Sequence, residues 1–515
     1  MRKYRETMIL FALMATAYIV TVEITIMNVA LPTLTRDLSA TTTQLQWVVD
    51  AYNLFLGAFV LAAGSLSDRQ GRKGALLLGM GILVVASLAG AWAETSGGLI
   101  AARAGMGLGA ALMLPTTLSI LANAFTERRA RARAIGLWGA STGLGVATGP
   151  IVGGWLLGRY WWGSIFAFLA LLTVAVAALI VVFVPTSRDP KTPPIDWRGL
   201  ALSIVGFGVL VLGIIEAPQW GWGEISTIAC FAIGVMVLLI FIAVQRRTKD
   251  PMLDVSLFAN MRYTAASCSV AISFFALNGF IFLITQYMQL VKGYSALSMG
   301  LRLLPMAGSI GIASIVGAWL AVRIGNKVVV TAGLILFAVG LAWAATNTGS
   351  TAYSFMSINI VVLGLGFGLI STPATEAIMG AVAKEKAGVG AAVNDATRLC
   401  GATLGVAVIG SMASSLYYNR MGSTVSAALP DSVISASDGS LGGALEAAKD
   451  LAAHADSEGA RQLSDTATSA FLFSMQGGSL LAAGTVFATA VMAWLLLPAR
   501  PRTHDSEPGP VEVAQ

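Results

Sequence analysis

The sequence predicts an all-α polytopic membrane protein built from fourteen transmembrane helices, and three observations carry that prediction. Hydrophobic residues make up 56% of the 515-residue chain and charged residues 11%, where soluble domains run at roughly 25% charged. The apolar residues gather in runs long enough to cross a bilayer, separated by short polar loops. Basic residues recur in alternate loops, the bias that sets membrane topology. The pI of 9.3 and net charge of +6 therefore reflect loop bias rather than one basic patch, and no nucleic-acid partner is expected.

In chain order the spans fall at residues 8–31, 46–66, 75–93, 99–121, 134–157, 164–185, 199–216, 225–244, 264–288, 297–321, 328–346, 354–379, 388–414 and 471–497. Arg2, Lys3 and Arg5 precede the first. Alternate loops then hold Arg69, Arg72 and Lys73; Arg128, Arg129, Arg131 and Arg133; Arg188, Lys191 and Arg198; Arg246, Arg247, Lys249 and Arg262; Arg323 and Lys327; Lys384 and Lys386; and the tail holds Arg500 and Arg502. These are most of the 32 bases, so this face and both termini are expected in the cytoplasm. The opposite loops hold Arg36, Arg159, Lys292, Arg420, Lys449 and Arg461. Trp47, Trp92, Trp161, Trp162, Trp197, Trp220, Trp222 and Trp494 stand at run ends, where interfacial anchors belong. The first run is too long for a cleavable signal peptide and has no small-residue cleavage site. Cys230, Cys268 and Cys400 lie in apolar runs without metal-ligand spacing and read as small buried hydrophobes.

Two stretches depart from this pattern. Residues 417–468 are polar and acidic, the one long external loop, with an amphipathic helix expected at 441–451. Residues after 498 are rich in proline and charge, a composition that does not pack. A repeat is also visible: Leu66-Ser67-Asp68-Arg69-Gln70-Gly71-Arg72-Lys73 closes span two, and Leu320-Ala321-Val322-Arg323-Ile324-Gly325-Asn326-Lys327 closes span ten. Parallel duplication of a six-helix unit is a transporter architecture, with the site between the halves near the midplane. The expected organisation is therefore a six-helix bundle at 1–185, a two-span insert with linkers at 186–263, a second six-helix bundle at 264–497, and a tail at 498–515.

Charges inside the spans point to chemistry. Glu23 interrupts the first run and Asp50 the second; Arg103, Glu376, Asp395 and Arg398 lie in similar surroundings. An ionised side chain at the bilayer centre costs roughly 2.5–3.5 kcal/mol, so it faces a protein interior or a water-filled path. A carboxylate there binds a proton, a cation, or each in turn. Asp395 and Arg398 stand three residues apart on one helix face, either as a self-neutralising pair or as a second polar site with Glu376.

The motifs are more specific. Gly64-Ser65-Leu66-Ser67-Asp68-Arg69-Gln70-Gly71-Arg72-Lys73 matches G-x-L-x-D-R-x-G-R-K at every specified position. It resembles the loop 2–3 signature of the major facilitator superfamily. There Gly64 and Gly71 permit close approach and a tight turn, and Asp68, with Arg69 and Arg72, latches the cytoplasmic gate by bonding a helix N-terminus or an Arg across the half-interface. Arg103-Ala104-Gly105-Met106-Gly107-Leu108-Gly109-Ala110-Ala111 resembles the R-x-x-Q-G-x-G-A-A element, with Met106 where Gln is usual. Gly145, Gly149, Pro150, Gly153 and Gly154 resemble the antiporter motif G-x-x-x-G-P-x-x-G-G. Glu23-Ile24-Thr25-Ile26-Met27-Asn28-Val29-Ala30-Leu31-Pro32 is similar to the D-x-T-I-V-N-V-A-L-P element of the fourteen-span drug:proton antiporters, with Glu for Asp. Trp47-Val48-Val49-Asp50-Ala51-Tyr52-Asn53-Leu54 is similar to the version in QacA-like multidrug exporters.

This resemblance implies the major facilitator fold and export of lipophilic, mostly cationic drugs in exchange for protons, from a functional monomer in the cytoplasmic membrane of a bacterium. It implies proton coupling by Glu23, Asp50 and Arg103, and substrate binding by Glu23, Asn28, Asp50 and Tyr52. A narrow-specificity exporter on the same fold is the alternative. No cofactor or metal is expected, the proton gradient being the energy source. No Walker sequence is present, and the only histidines, His454 and His504, lie in polar segments without a nucleophile–base set. The chain is not expected to be an enzyme.

Overall fold

A computed structural model describes residues 2–125, 127–188, 196–249, 251–380, 387–424, 439–454 and 456–497, and every regular element among them is helical. The α-helices are α1 (Arg2–Asp37), α2 (Thr42–Gln70), α3 (Arg72–Ala91), α4 (Ser96–Ala124), α5 (Arg128–Leu157), α6 (Ser164–Phe183), α7 (Trp197–Trp220), α8 (Ile225–Gln245), α9 (Met261–Gln286), α10 (Ala296–Ile324), α11 (Asn326–Ala344), α12 (Tyr353–Met379), α13 (Ala387–Thr424), α14 (Leu441–Ala453) and α15 (Ser457–Leu496). A π turn, Tyr287–Val291, continues α9. Thirteen helices are long and apolar enough to span a membrane, and α2, bent by 52° between Thr42–Val60 and Ala62–Gln70, makes fourteen.

The helices outrun the apolar segments. Beyond the lipid, intrahelical hydrogen bonds still satisfy the backbone, so polar flanks prolong α1 at both ends, α13 to Thr424 and α15 back to Ser457. The expected long loop at 417–468 is correspondingly shorter, and the amphipathic helix foreseen at 441–451 forms as α14. Residues 425–438 and the tail from 498 lie outside the described residues. Capping side chains fix several helix starts: Thr41 with Gln44 forms a capping box on α2, and Thr95, Ser295 and Ser440 cap α4, α10 and α14.

Packing repeats along the chain. α2 packs on α4, α1 on α5 and α3 on α6; likewise α10 packs on α12, α9 on α13 and α11 on α15. The hairpin glycines correspond as well: Gly71, between α2 and α3, has φ +128°, and Gly325, between α10 and α11, has φ +89°. Both are backbone states that favour glycine. The second hairpin lacks a carboxylate, and aromatic faces hold its bases instead: Arg323 lies 3.8 Å from the Trp319 ring centroid and Lys327 4.7 Å from that of Trp494.

The face bearing residues 2 and 497 is called here the terminal face, and its opposite the far face. Contacts joining the two six-helix groups cluster toward the far face. Gly154 of α5 lies against the backbone of Leu297 in α10, and Gly300 of α10 against the carbonyl of Pro150. The Gln289 amide donates to the Val29 carbonyl at 3.0 Å. Gln46 of α2 donates to the carbonyls of Val406 and Ala407 on α13, both at 3.1 Å. Toward the terminal face the pattern changes: a Cβ at Gly136, Gly139 or Gly143 of α5 would meet nothing within 4 Å. The groups are joined on the far side; toward the terminal side α5 loses its contacts with the second group, while α2 still meets α13 at Gly57 and Leu399.

The α7–α8 hairpin packs across the α2–α13 seam through Val211, Ile214, Ile215 and Ala407, with Trp47 against them. Trp47 donates to Glu216 at 2.9 Å and Gln219 to Thr43 at 3.0 Å. Glu216, the last residue of the run at 199–216, is thus a fastening between α7 and α2.

Candidate transport site

α1 and α4 bring two intramembrane charges of the first group together, and α2 carries the third. Counting 1.5 Å per residue, Glu23 lies about 21 Å along α1 from its far-face end, Asp50 about 12 Å into α2 and Arg103 about 11 Å into α4. The Arg103 guanidinium donates to Glu23 at 3.3 Å, with the two side chains 1% and 0% exposed. Its Nε donates to the Val48 carbonyl at 3.0 Å, and its Cζ lies 4.4 Å from the Tyr52 ring centroid. The Tyr52 hydroxyl donates to the Val20 carbonyl at 3.4 Å. Both the ring and the hydroxyl of Tyr52, expected among the substrate-binding residues, are engaged with protein groups.

This arrangement leaves a deficit. Oε2 of Glu23 and both carboxylate oxygens of Asp50 are buried without a hydrogen-bond partner. Glu23 is paired with the Arg103 guanidinium, whereas no described donor reaches Asp50, so ionising all three leaves one negative charge buried without a partner. A buried carboxylate without donors is costly, and a proton or a cationic ligand removes that cost.

Small residues make the approach possible. A Cβ on Gly107 would overlap the Tyr52 backbone, and one on Gly109 would sit 2.7 Å from the Gly79 carbonyl oxygen. These two glycines let α4 carry Arg103 against α2 while also touching α3. Met106 supplies a soft contact where the related element has Gln: its sulfur lies 3.7 Å from an Arg103 nitrogen.

The α5 glycines divide their work. Gly145, Gly149 and Gly153 lie against Thr21, Thr25 and Ile26 of α1, and Thr25 donates to the Gly145 carbonyl at 3.4 Å. Gly154 instead faces Leu297 of α10, and Pro150 presents its carbonyl to Gly300. One stripe therefore packs α5 on the helix that carries Glu23, and the next residue seals the two groups together. Asn28 is buried, and its amide donates to the Ile24 carbonyl at 3.4 Å.

At the terminal face Asp68 binds Arg72 at 2.6 Å, joining the end of α2 to the start of α3. The Arg72 amide donates to the Ser187 carbonyl at 2.9 Å and Lys73 to that of Val181 at 2.7 Å. This hairpin is thus tied to α6 within its own group, and Arg69 is exposed. A Cβ on Gly64 would sit 3.6 Å from Pro115 of α4. In the second group Asp395 and Arg398 are 3.9 Å apart, and Arg398 donates to Thr375 at 2.8 Å. Glu376, one residue on, is exposed and does not join them. Among the described residues no group of three or more His, Cys, Asp or Glu is arranged to hold a metal ion.

Fourteen spans in two repeated groups, joined on one side, with buried charges inside the first group, define a membrane carrier. The sequence profile described as Major Facilitator Superfamily matches residues 10–406, and the chain belongs to that family. It is accordingly a transporter and not an enzyme. It is 34% identical over 475 residues to the multidrug efflux pump LfrA of Mycolicibacterium smegmatis, covering 92% of this chain and 93% of LfrA. It is 30% identical over 503 residues to the methyl viologen resistance protein SmvA of Salmonella typhimurium, covering 96% of this chain and 99% of SmvA. In fold it is similar to a bacterial homologue of the human lysosomal transporter Spinster, with TM-score 0.66, 17% identity, and 96% of this chain and 98% of the other covered.

Proposed function

We propose that this transporter is a proton-coupled antiporter of the fourteen-span drug-exporting group, moving lipophilic, mostly cationic compounds out across the cytoplasmic membrane by alternating access. The observation that carries the reading is two buried carboxylates with three unpartnered oxygens, only one of the two, Glu23, being paired to a guanidinium. A site one positive charge short holds either protons or a cationic compound, and each excludes the other. Exchange follows without a nucleotide. The alternate-loop bias in Lys and Arg supports cytoplasmic termini, so the terminal side faces the cytoplasm and admits substrate. Asp50, nearer the far face than Glu23 along their helices, attracts the cation, while Glu23, paired to Arg103, carries the exchanged proton. Relatives named for multidrug efflux and for resistance to methyl viologen, a dication, support the same substrate class.

The test is Glu23→Gln in liposomes with an imposed proton gradient. Loss of drug-driven proton release in a folded, inserted variant is the expected result, with partial function in Glu23→Asp. Uphill transport by Glu23→Gln with normal proton dependence would sink the assignment.

A further inference from the structure

The far face carries few bases, yet four of them meet at one place. Arg36 at the end of α1, Arg159 just after α5, Lys449 of α14 and Arg461 of α15 line a cavity of about 1040 Å3. Glu446 is the one carboxylate in its lining, and Lys449 binds it at 2.8 Å. The neighbouring acids Asp450, Glu458 and Asp465 do not line it. Arg36 reaches only the Thr33 hydroxyl, at 3.4 Å, and Arg159 lies 5.3 Å from the Trp155 ring centroid. Among the described residues neither has a carboxylate partner, and the described lining holds an excess of three positive charges.

Its position gives the excess a meaning. The lining runs from Gly154 of α5 to Leu297 of α10, the contact that seals the far side. Arg36 and Arg159 stand on the first six-helix group, Lys449 and Arg461 on elements that follow α13. We propose that this cavity binds a phosphate-bearing anion that bridges the two sets of bases and so holds the far side shut. A phosphate suits it because several oxygens accept from several guanidinium groups at once, with paired N–H bonds. A carboxylate has too few oxygens to bridge four bases. Apolar side chains, including Leu157, Leu290 and Leu445, alternate in the wall with the polar Gln289, Ser295 and Ser464, and the former would accommodate the first carbons of an acyl chain. Both a lipid headgroup and a free phosphate meet this chemistry.

The experiment uses the full chain in detergent and native mass spectrometry with three probes: short-chain phosphatidylglycerol, the same chains on phosphatidylcholine, and inorganic phosphate. Phosphatidylglycerol binding alone identifies a lipid headgroup; binding by inorganic phosphate as well identifies a free anion. Arg159→Gln with Arg461→Gln should weaken binding by roughly tenfold or more, the scale of lost charge-assisted hydrogen bonds. Arg420→Gln, a far-face base outside the cavity, should leave it unchanged, and salt should compete. Equal binding of phosphatidylcholine, no binding of either anion, or wild-type binding by the double variant would overturn the site. The holding role rests on the alternating-access reading, whereas binding does not. Leu297→Cys, in a background without Cys230, Cys268 and Cys400, should lose maleimide reactivity when the anion binds; Thr33→Cys gives the same readout if Leu297→Cys does not fold. Binding with unchanged reactivity would overturn the holding role and leave the transport reading standing.

Discussion

Adding one methyl group at Gly300 should open the far side of this transporter. An alanine Cβ there would lie 2.6 Å from the Pro150 carbonyl oxygen, 2.8 Å from its carbon and 3.1 Å from the Ile151 nitrogen. All three are backbone atoms, so no side chain can rotate away. Ordinary contact distances require α5 and α10 to separate by several tenths of an ångström at the point where Gly154 also rests on Leu297. Overpacking of this kind costs about 1–3 kcal/mol. Because the contact belongs to the far-closed arrangement, the cost falls on that state alone, and the balance moves toward far-side opening by roughly 5- to 150-fold. Spin labels at Tyr160 and Leu301, in a background lacking the three native cysteines, would report it by double electron–electron resonance. Gly300→Ala should show a longer-distance population, and Gly308→Ala, whose Cβ would meet nothing within 4 Å, should not. An unchanged distance distribution in a folded Gly300→Ala protein would refute the argument that this seam sets the equilibrium.

Other perturbations separate the roles of the buried charges. Asp50→Asn should weaken transport of permanent cations by about tenfold or more, the scale of a lost charged contact, with a smaller effect on neutral compounds; equal loss would make Asp50 a coupling or structural residue. Arg103→Lys keeps the charge but loses the bond to the Val48 carbonyl and the planar stack on Tyr52, so thermal unfolding should show a loss of about 1–3 kcal/mol. Arg103→Met should cost more, about 3–5 kcal/mol, and adding Glu23→Gln should recover part of it; strict additivity would deny the coupling. Asp68→Asn removes the carboxylate that binds Arg72, and turnover should fall strongly with substrate affinity within a few-fold. Cysteine labelling at the terminal-face ends of α2 and α11 checks this prediction, and unchanged labelling with unchanged transport would make Asp68 an ordinary loop residue.

The spans were legible because bilayer thickness imposes a minimum apolar length on each of them. Where that constraint ends, so does the signal: Thr424 and Ser457 stand in polar sequence, and nothing local says that α13 and α15 continue through it. Glu23 and Arg103 were visible because each is expensive in an apolar run, but their pairing joins positions 80 residues apart and lies in no local pattern. Glu216 and Glu224, flanking Trp220 and Trp222, read as surface acids; only the docking of α7 on α2 brings the Trp47 indole to Glu216. Asp68 taught the opposite lesson. Its partner Arg72 is inside the motif, one helical turn away across Gly71, whereas the motif suggests a helix N-terminus or an Arg of the other half. Glu376 and Asp395 shared an apolar context in sequence, yet the helix turns Glu376 outward, away from the pair formed by Asp395 and Arg398.

A lipophilic molecule diffusing around this protein in the bilayer meets two flanks that are not alike. Along one, the α7–α8 hairpin lies over α2 and α13, fastened by Trp47 to Glu216, Gln219 to Thr43 and Trp222 to Ser415. Along the other, where α5 meets α10, the helix that reaches both is α1 of the first group, and no inserted hairpin lies over them as α7 lies over α2 and α13. The pseudo-symmetry of the two halves is therefore broken where they meet lipid. One flank is fenced by an inserted hairpin and the other is not, so for the lipophilic cargo proposed above the two sides would not be equivalent in approach, an asymmetry that the repeated fold alone would not give.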